Sequence, residues 1–123
     1  MPMTMTEYQK RTHETAVFPT CFVEDRKEDT GMVKTRWVYC ALGLVGESGE
    51  VAEKLKKVLR DNNGVISKDV KNLIAKELGD VLWYVSELAT AVGLDLEYIA
   101  CHNLQKLADR AERGVLQGSG DTR

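Results

Sequence analysis

Two short stretches of this chain carry acids at a spacing suited to holding a cation. Gly46-Glu47-Ser48-Gly49-Glu50-Val51-Ala52-Glu53 contains one pair, Glu47 and Glu50. Lys76-Glu77-Leu78-Gly79-Asp80-Val81-Leu82 contains the other, Glu77 and Asp80. Residues three apart on a helix lie one turn apart on neighbouring rows, so each pair can turn both carboxylates toward one ion. Two such helices side by side make a four-carboxylate cup, the oxygen-rich environment that hard divalent cations take. The plainer alternative is a solvated acid face. Lys54 stands four after Glu50, and Lys57 four after Glu53, the favourable order for helical ion pairs. Two pairs on consecutive helices, each beside an apolar stripe and each interrupted by glycine, strengthen the case for a site beyond that of a single pair, but the residues alone do not lift it above the solvated face.

The rest of the donor inventory narrows the chemistry. A di-iron carboxylate bundle needs Glu-x-x-His on two helices. The histidines are His13 and His102, and three residues before them stand Lys10 and Ile99. With oxygen ligands alone, Mg²⁺ or Mn²⁺ is favoured over iron or zinc. Magnesium usually combines a few carboxylates with substrate phosphates, which points to a phosphate ester or nucleotide. Tyr84, one turn beyond Asp80, is placed to stack on a base or to hydrogen-bond a phosphate. Asn103, Lys106 and Arg110 share one helical face and could meet phosphates, although ordinary surface charge explains these three as well. Trp37 and Trp83 are assigned to the core, Glu53 and Glu87 to salt bridges, and His13 to the surface. No phosphate-cradling glycine loop and no nucleophilic triad is present.

Helices must position these groups. A thin apolar stripe (Met5, Tyr8, Thr12, Ala16) predicts a first helix within 1–17, with Thr6 and Gln9 as its capping box and Pro19 beyond it. Residues 18–34, with the run Glu24-Asp25-Arg26-Lys27-Glu28-Asp29, read as a mobile loop. A second helix spans 35–61, its face carrying Trp37, Ala41, Leu44, Ser48, Val51, Ala52, Leu55, Val58 and Leu59. Gly43, Gly46 and Gly49 within it each cost about 1 kcal/mol relative to alanine, so a close neighbour or a ligand is expected there. Asn62-Asn63-Gly64 ends it. A third helix spans 67–92, capped by Ser67 and closed by Gly93. Its apolar face is Ile74, Leu78, Val81, Val85, Leu88 and Val92. A fourth runs from the Asp95 cap to Arg113, with Gly114 after it and a Gly-rich tail, 114–123, flexible or docked on a partner.

The fold class expected is therefore all-α. It is an antiparallel four-helix bundle-like protomer, a single domain over 1–123, assembling into a dimer or higher homo-oligomer because the first helix is too thin to cover the apolar faces of the second and third. The bulk properties agree. The chain has 123 residues, 43% apolar and 29% charged, with 2 prolines and 7% aromatics. A net charge of −2 and the lack of a basic stripe argue against nucleic acid or anionic membrane as partners. Cys21, Cys40 and Cys101 form no C-x-x-C pair and are expected to be reduced thiols of a cytoplasmic protein. No secretory signal and no membrane-spanning run is apparent.

Taken together, 46–53, 76–84 and the Asn103-Leu-Gln-Lys-Leu-Ala-Asp-Arg110 segment resemble the MazG-like nucleoside triphosphate pyrophosphohydrolases of the all-α NTP pyrophosphatase superfamily. The resemblance runs from about Trp37 to the C-terminus. The opening helix around Tyr8-Gln9 and Thr15-Ala16 is also similar. The family pattern is often written E-E-x-x-E followed by E-x-x-D, and Gly46 stands here in place of the leading acid. The resemblance implies Glu47, Glu50, Glu77 and Asp80 as catalytic metal ligands for Mg²⁺, with Mn²⁺ possible. It implies cleavage of a (d)NTP to the monophosphate and pyrophosphate as nucleotide-pool house-cleaning. It also implies Lys54, Lys57, Lys106 and Arg110 as groups that steady the leaving pyrophosphate, and a homodimer or homotetramer whose site is lined by both subunits. A phosphoribosyl-ATP pyrophosphohydrolase is the alternative within the superfamily, and a non-catalytic helical interaction protein the alternative outside it.

Overall fold

A computed structural model describes residues 2–18 and 35–123, which form helices α1 (Met5–His13), α2 (Thr35–Asp61), α3 (Lys68–Val92) and α4 (Leu96–Glu112), with no strand among the described residues. Residues 19–34, nearly all of the loop expected at 18–34, lie outside the described residues.

The helix ends follow the local chemistry. Ser67 accepts a hydrogen bond from the Val70 amide at the start of α3, and Asp95 accepts one from the Tyr98 amide at the start of α4. Gly93 takes the left-handed conformation (φ 79°) that ends α3. Asn63 and Gly64, both at positive φ, turn the chain after α2, and the Gly64 amide bonds back to the Val58 carbonyl. The first helix differs from its expected form. Its cap is Thr4, whose hydroxyl accepts from the Glu7 amide. Thr6 instead donates to Glu97, and Gln9 bonds Thr90, the Leu94 carbonyl and the Leu96 amide. Both residues of the expected capping box are thus spent on tertiary contacts. The helix also stops at His13, well before Pro19. The Thr15 hydroxyl bonds back to the Thr12 carbonyl there, a local bond that competes with continuation.

α2 and α3 make a helical hairpin. Their facing residues run in opposite senses: Trp37 donates to the Ala91 carbonyl, Gly43 abuts Tyr84, and Lys54 pairs with Glu77. α1 lies antiparallel along α3, with Gln9 against Thr90, Thr12 against Ser86 and Glu87, and Thr15 against Trp83. Among the described residues α4 touches α1 and α3 but not α2, so the four helices do not close into a bundle within one chain. The apolar core is correspondingly small. Cys40, Val58, Ala89 and Leu96 are buried, whereas Leu78 and Leu59 on the expected apolar faces are 51% and 73% exposed.

The tail does not extend freely. Arg110 is buried and donates to the Asp121 carbonyl, Arg113 donates to the Arg123 carbonyl, and Arg123 donates to the Val115, Leu116 and Gly120 carbonyls. Arginine's fixed fork of five donors satisfies several turn carbonyls at once, which folds the glycine-rich segment back onto the end of α4. No helix among the described residues is long and apolar enough to cross a membrane.

Candidate metal and nucleotide site

The antiparallel hairpin brings the two acidic segments together. Glu47 of α2 and Glu77 and Asp80 of α3 each offer a carboxylate oxygen, and these oxygens lie within 4.8 Å of one another. Glu50, one turn farther along α2, is exposed and stands outside this close group. Its charge still reaches the cluster. Burial, then the charges of Asp80, Glu77 and Glu50, hold the Glu47 carboxyl above its ordinary range. Like charges gathered in this way disfavour ionisation of one another.

A cation from the chain itself sits against the cluster. Lys54 Nζ lies 2.8 Å from Glu77 Oε1, with both side chains mostly shielded from solvent. That hydrogen bond, aided by the charges of Glu77 and Glu50, outweighs partial burial and holds the ammonium above its usual range. The other α2 lysines behave as the ion-pair alternative expects: Lys56 and Lys57 lie 2.7 Å and 3.8 Å from Glu53. Glu53 accordingly sits below its usual range, mainly through its hydrogen bond to Lys56.

Beside the acids opens a cavity of about 420 Å³ lined by Thr15, Glu47, Asp80, Trp83 and Tyr84. Trp83 lies half-buried in this wall, where a core position was expected, and its indole N–H donates to the Thr15 hydroxyl at 2.9 Å. Trp83 and Tyr84 meet edge to face, 5.0 Å between ring centres. Tyr84 lies over Gly43 so closely that a Cβ at that position would come within 2.2 Å of its ring. One of the three α2 glycines therefore has its reason in a side chain, whereas Gly46 and Gly49 face open space. Burial, then Tyr39 and Glu47, push the Tyr84 hydroxyl above its usual range, so it stays a neutral donor. Burial, then the Asp80 charge, do the same to Tyr8 of α1.

The remaining expected site residues lie elsewhere. Asn103 and Lys106 are exposed on α4, and Arg110 is buried under the tail. None of the three lines the acidic cavity. Thr15 and Trp83 line the cavity although the sequence pattern did not place them at the site. A threonine just past a helix end carries no chemical signature, and an aromatic at helical spacing reads as core.

The sequence has counterparts among known proteins. Residues 39–115 match the family model of the MazG nucleotide pyrophosphohydrolase domain. The chain belongs to the MazG family. Both acidic stretches and the whole of α4 fall within the matched segment. A relative, the "Gene 37 protein" of Mycobacterium phage L5, is 43% identical over 116 residues, covering 94% of this chain and 96% of its own length. No solved structure gives a significant match. MazG membership supports nucleotide pyrophosphohydrolase activity in general terms, and the acidic cluster is its candidate metal centre.

The donor set fits a hard divalent ion. It consists of carboxylate oxygens from two rigid helices, gathered next to an open cavity, with no sulfur or imidazole among them.

Proposed function

We propose that this MazG protein is a Mg²⁺-dependent pyrophosphohydrolase that cleaves a (d)NTP to the (d)NMP and pyrophosphate, removing unwanted nucleotides from the cytoplasmic pool. The observation that supports this reading most is the close approach of Glu47, Glu77 and Asp80 beside a cavity large enough for a small ligand. Glu47, Glu77 and Asp80 would hold the metal, with Glu50 swinging in from the next turn. Mn²⁺ is an acceptable substitute. The ion would supply neutralisation of phosphate oxygens and a polarised water.

The chain's own groups do the rest. A carboxylate not engaged by metal accepts the proton of the attacking water. The water oxygen bonds to phosphorus, the phosphoanhydride P–O bond breaks, and pyrophosphate departs. Lys54 and Lys57 steady the charge that develops on the leaving group. Tyr84 and Trp83 present aromatic surface and donors on the cavity wall.

The reading also includes assembly. Leu42, Val45, Gly46 and Gly49 follow one another at helical spacing on α2, and Leu42 and Val45 are 67% and 70% exposed. Leu104, Ala108 and Ala111 make a similar exposed stripe on α4. Apolar stripes this open on one small domain favour a homodimer or homotetramer. In such an assembly Asn103 and Lys106 reach a neighbouring copy's site, and Arg110 joins them once its tail contact opens. Nucleic acid and membrane are not partners in this reading, given the net charge of −2.

A panel of (d)NTPs and phosphoribosyl-ATP, incubated with Mg²⁺ and assayed for pyrophosphate release, tests the proposal. Release from one or more (d)NTPs supports it. Release from phosphoribosyl-ATP alone moves the protein to the alternative within the superfamily. No release from any of them, with no Mg²⁺ binding, leaves a helical interaction protein.

A further inference from the structure

We propose that Lys54 is the resident counter-cation of the acidic cluster, occupying Glu77 when no metal is present and giving way when a divalent ion enters. The inference rests on the reading that the cluster holds such an ion. Three carboxylate oxygens within 4.8 Å of one another repel strongly wherever bulk water is excluded. Solvent screens part of that charge, since Asp80 is exposed, and Lys54 is placed to offset more of it. It rises from α2 one turn past Glu50 and crosses to α3, where its ammonium meets Glu77 Oε1 at 2.8 Å. Neighbouring lysines do not share this role, because Lys56 and Lys57 turn to Glu53, which is not among the clustered acids.

The pair is also shielded to a degree unusual for a surface bridge. The Lys54 and Glu77 side chains are 23% and 19% exposed, against 60% and 42% for Lys56 and Glu53. Lysine suits an exchangeable role. Its charge is compact and sits on a flexible stem, so it can leave one oxygen for another without losing a rigid two-point fit. A divalent ion that engages Glu77 competes for the same carboxylate and repels the ammonium. Lys54 therefore weakens metal binding in the absence of nucleotide. Nucleotide phosphates, by offering the ammonium another partner, relieve that competition. Metal and nucleotide thus assist one another's binding through Lys54, and the assistance is reciprocal by linkage.

The test measures Mn²⁺ affinity by electron paramagnetic resonance on the full chain, with and without a non-hydrolysable nucleotide analogue. The nucleotide-free Lys54→Met protein is expected to bind Mn²⁺ about threefold to tenfold more tightly than wild type. Its melting temperature in chelator falls, and saturating Mn²⁺ restores it. Lys54→Gln, which keeps a polar tip, repeats the affinity gain if methionine disturbs folding, and Lys54→Arg, which keeps the charge and can grip Glu77 at two points, shows no gain. Lys56→Met, which removes the same charge beside Glu53, leaves affinity unchanged. Equal or weaker Mn²⁺ binding in both Lys54→Met and Lys54→Gln, with wild type binding normally, overturns the proposal and leaves the metal site standing. An equal gain in Lys56→Met also overturns it, because net charge alone would then explain the effect. A wild-type protein that takes no Mn²⁺ with or without the analogue overturns the metal reading itself, and this inference with it.

Discussion

Glu47 sits where burial and three other acids oppose its charge, and that has a measurable consequence for the metal-free protein. A folded pKa above the ordinary value of 4.5 means the native state binds more protons than the unfolded chain in the interval between the two values. Stability is then lost as pH rises through that interval and stays lost above it. Glu47→Gln removes the penalty. In chelator at neutral pH its melting temperature is expected to exceed that of wild type, and the difference should shrink as pH falls toward 4.5. Saturating Mg²⁺ should reverse the order, since only wild type gains a full set of ligands. Glu50→Gln and Asp80→Asn bear on chemistry. Each is expected to lower turnover by on the order of a hundredfold or more while circular dichroism stays unchanged. Retained turnover in both would remove these acids from the mechanism. Gly43→Ala drives a methyl into Tyr84, 2.2 Å from its ring. It should cost about 1–3 kcal/mol in urea unfolding, because the ring has to move.

At the scale of elements, the hairpin was legible, whereas of the first helix only its presence within 1–17 was, not its cap or its attachment. α2 and α3 announce themselves by long apolar periodicity, a serine cap, and glycine or asparagine at their ends, and both span the residues expected. Their pairing then follows from a short turn, and the convergence of Glu47 with Glu77 and Asp80 follows from the pairing. α1 defeats the same reasoning because polar groups attach it. Glu87, 2% exposed, accepts a hydrogen bond from Thr12 and faces His13 Nδ1 at 3.3 Å, while Thr12 and Ser86 lie 2.8 Å apart. Nothing in an apolar stripe foretells a buried carboxylate as the anchor, and the salt-bridge role expected for Glu87 named neither His13 nor Thr12 as its partner. This attachment brings Thr15 to the cavity, a placement that no local pattern around Thr15 foretells. Thr12→Val leaves Glu87 and Ser86 short of a buried partner and should cost about 1–3 kcal/mol. Thr12→Ser should retain most of that stability, and denaturant melts of the two variants separate hydroxyl loss from repacking.

At the scale of the molecule, several large apolar side chains on α2 and α4 are exposed. Leu42 and Val45 on α2 and Leu104 on α4 are exposed, and α4 itself touches only α1 and α3 among the described residues. The sequence pointed to incomplete burial, since α1 is too thin to cover the hairpin. It did not reveal that α4 would pack on α1 and α3 and not on α2 among the described residues, because the direction in which a helix departs is set by the turn at 93–95 and not by its own periodicity. Val45→Glu is expected to shift the sedimentation coefficient toward that of a monomer and to lower activity in parallel. An unchanged coefficient would remove this stripe from the assembly. The central claim concerns a single point in space between α2 and α3. It is tested most directly by a crystal structure grown with Mg²⁺ and an α,β-non-hydrolysable nucleoside triphosphate. The account predicts one or more ions at about 2.0–2.1 Å from carboxylate oxygens of Glu47, Glu77 and Asp80, with the phosphates alongside and Lys54 withdrawn from Glu77. An ion-free cluster with Lys54 still on Glu77 and the nucleotide bound elsewhere would contradict it.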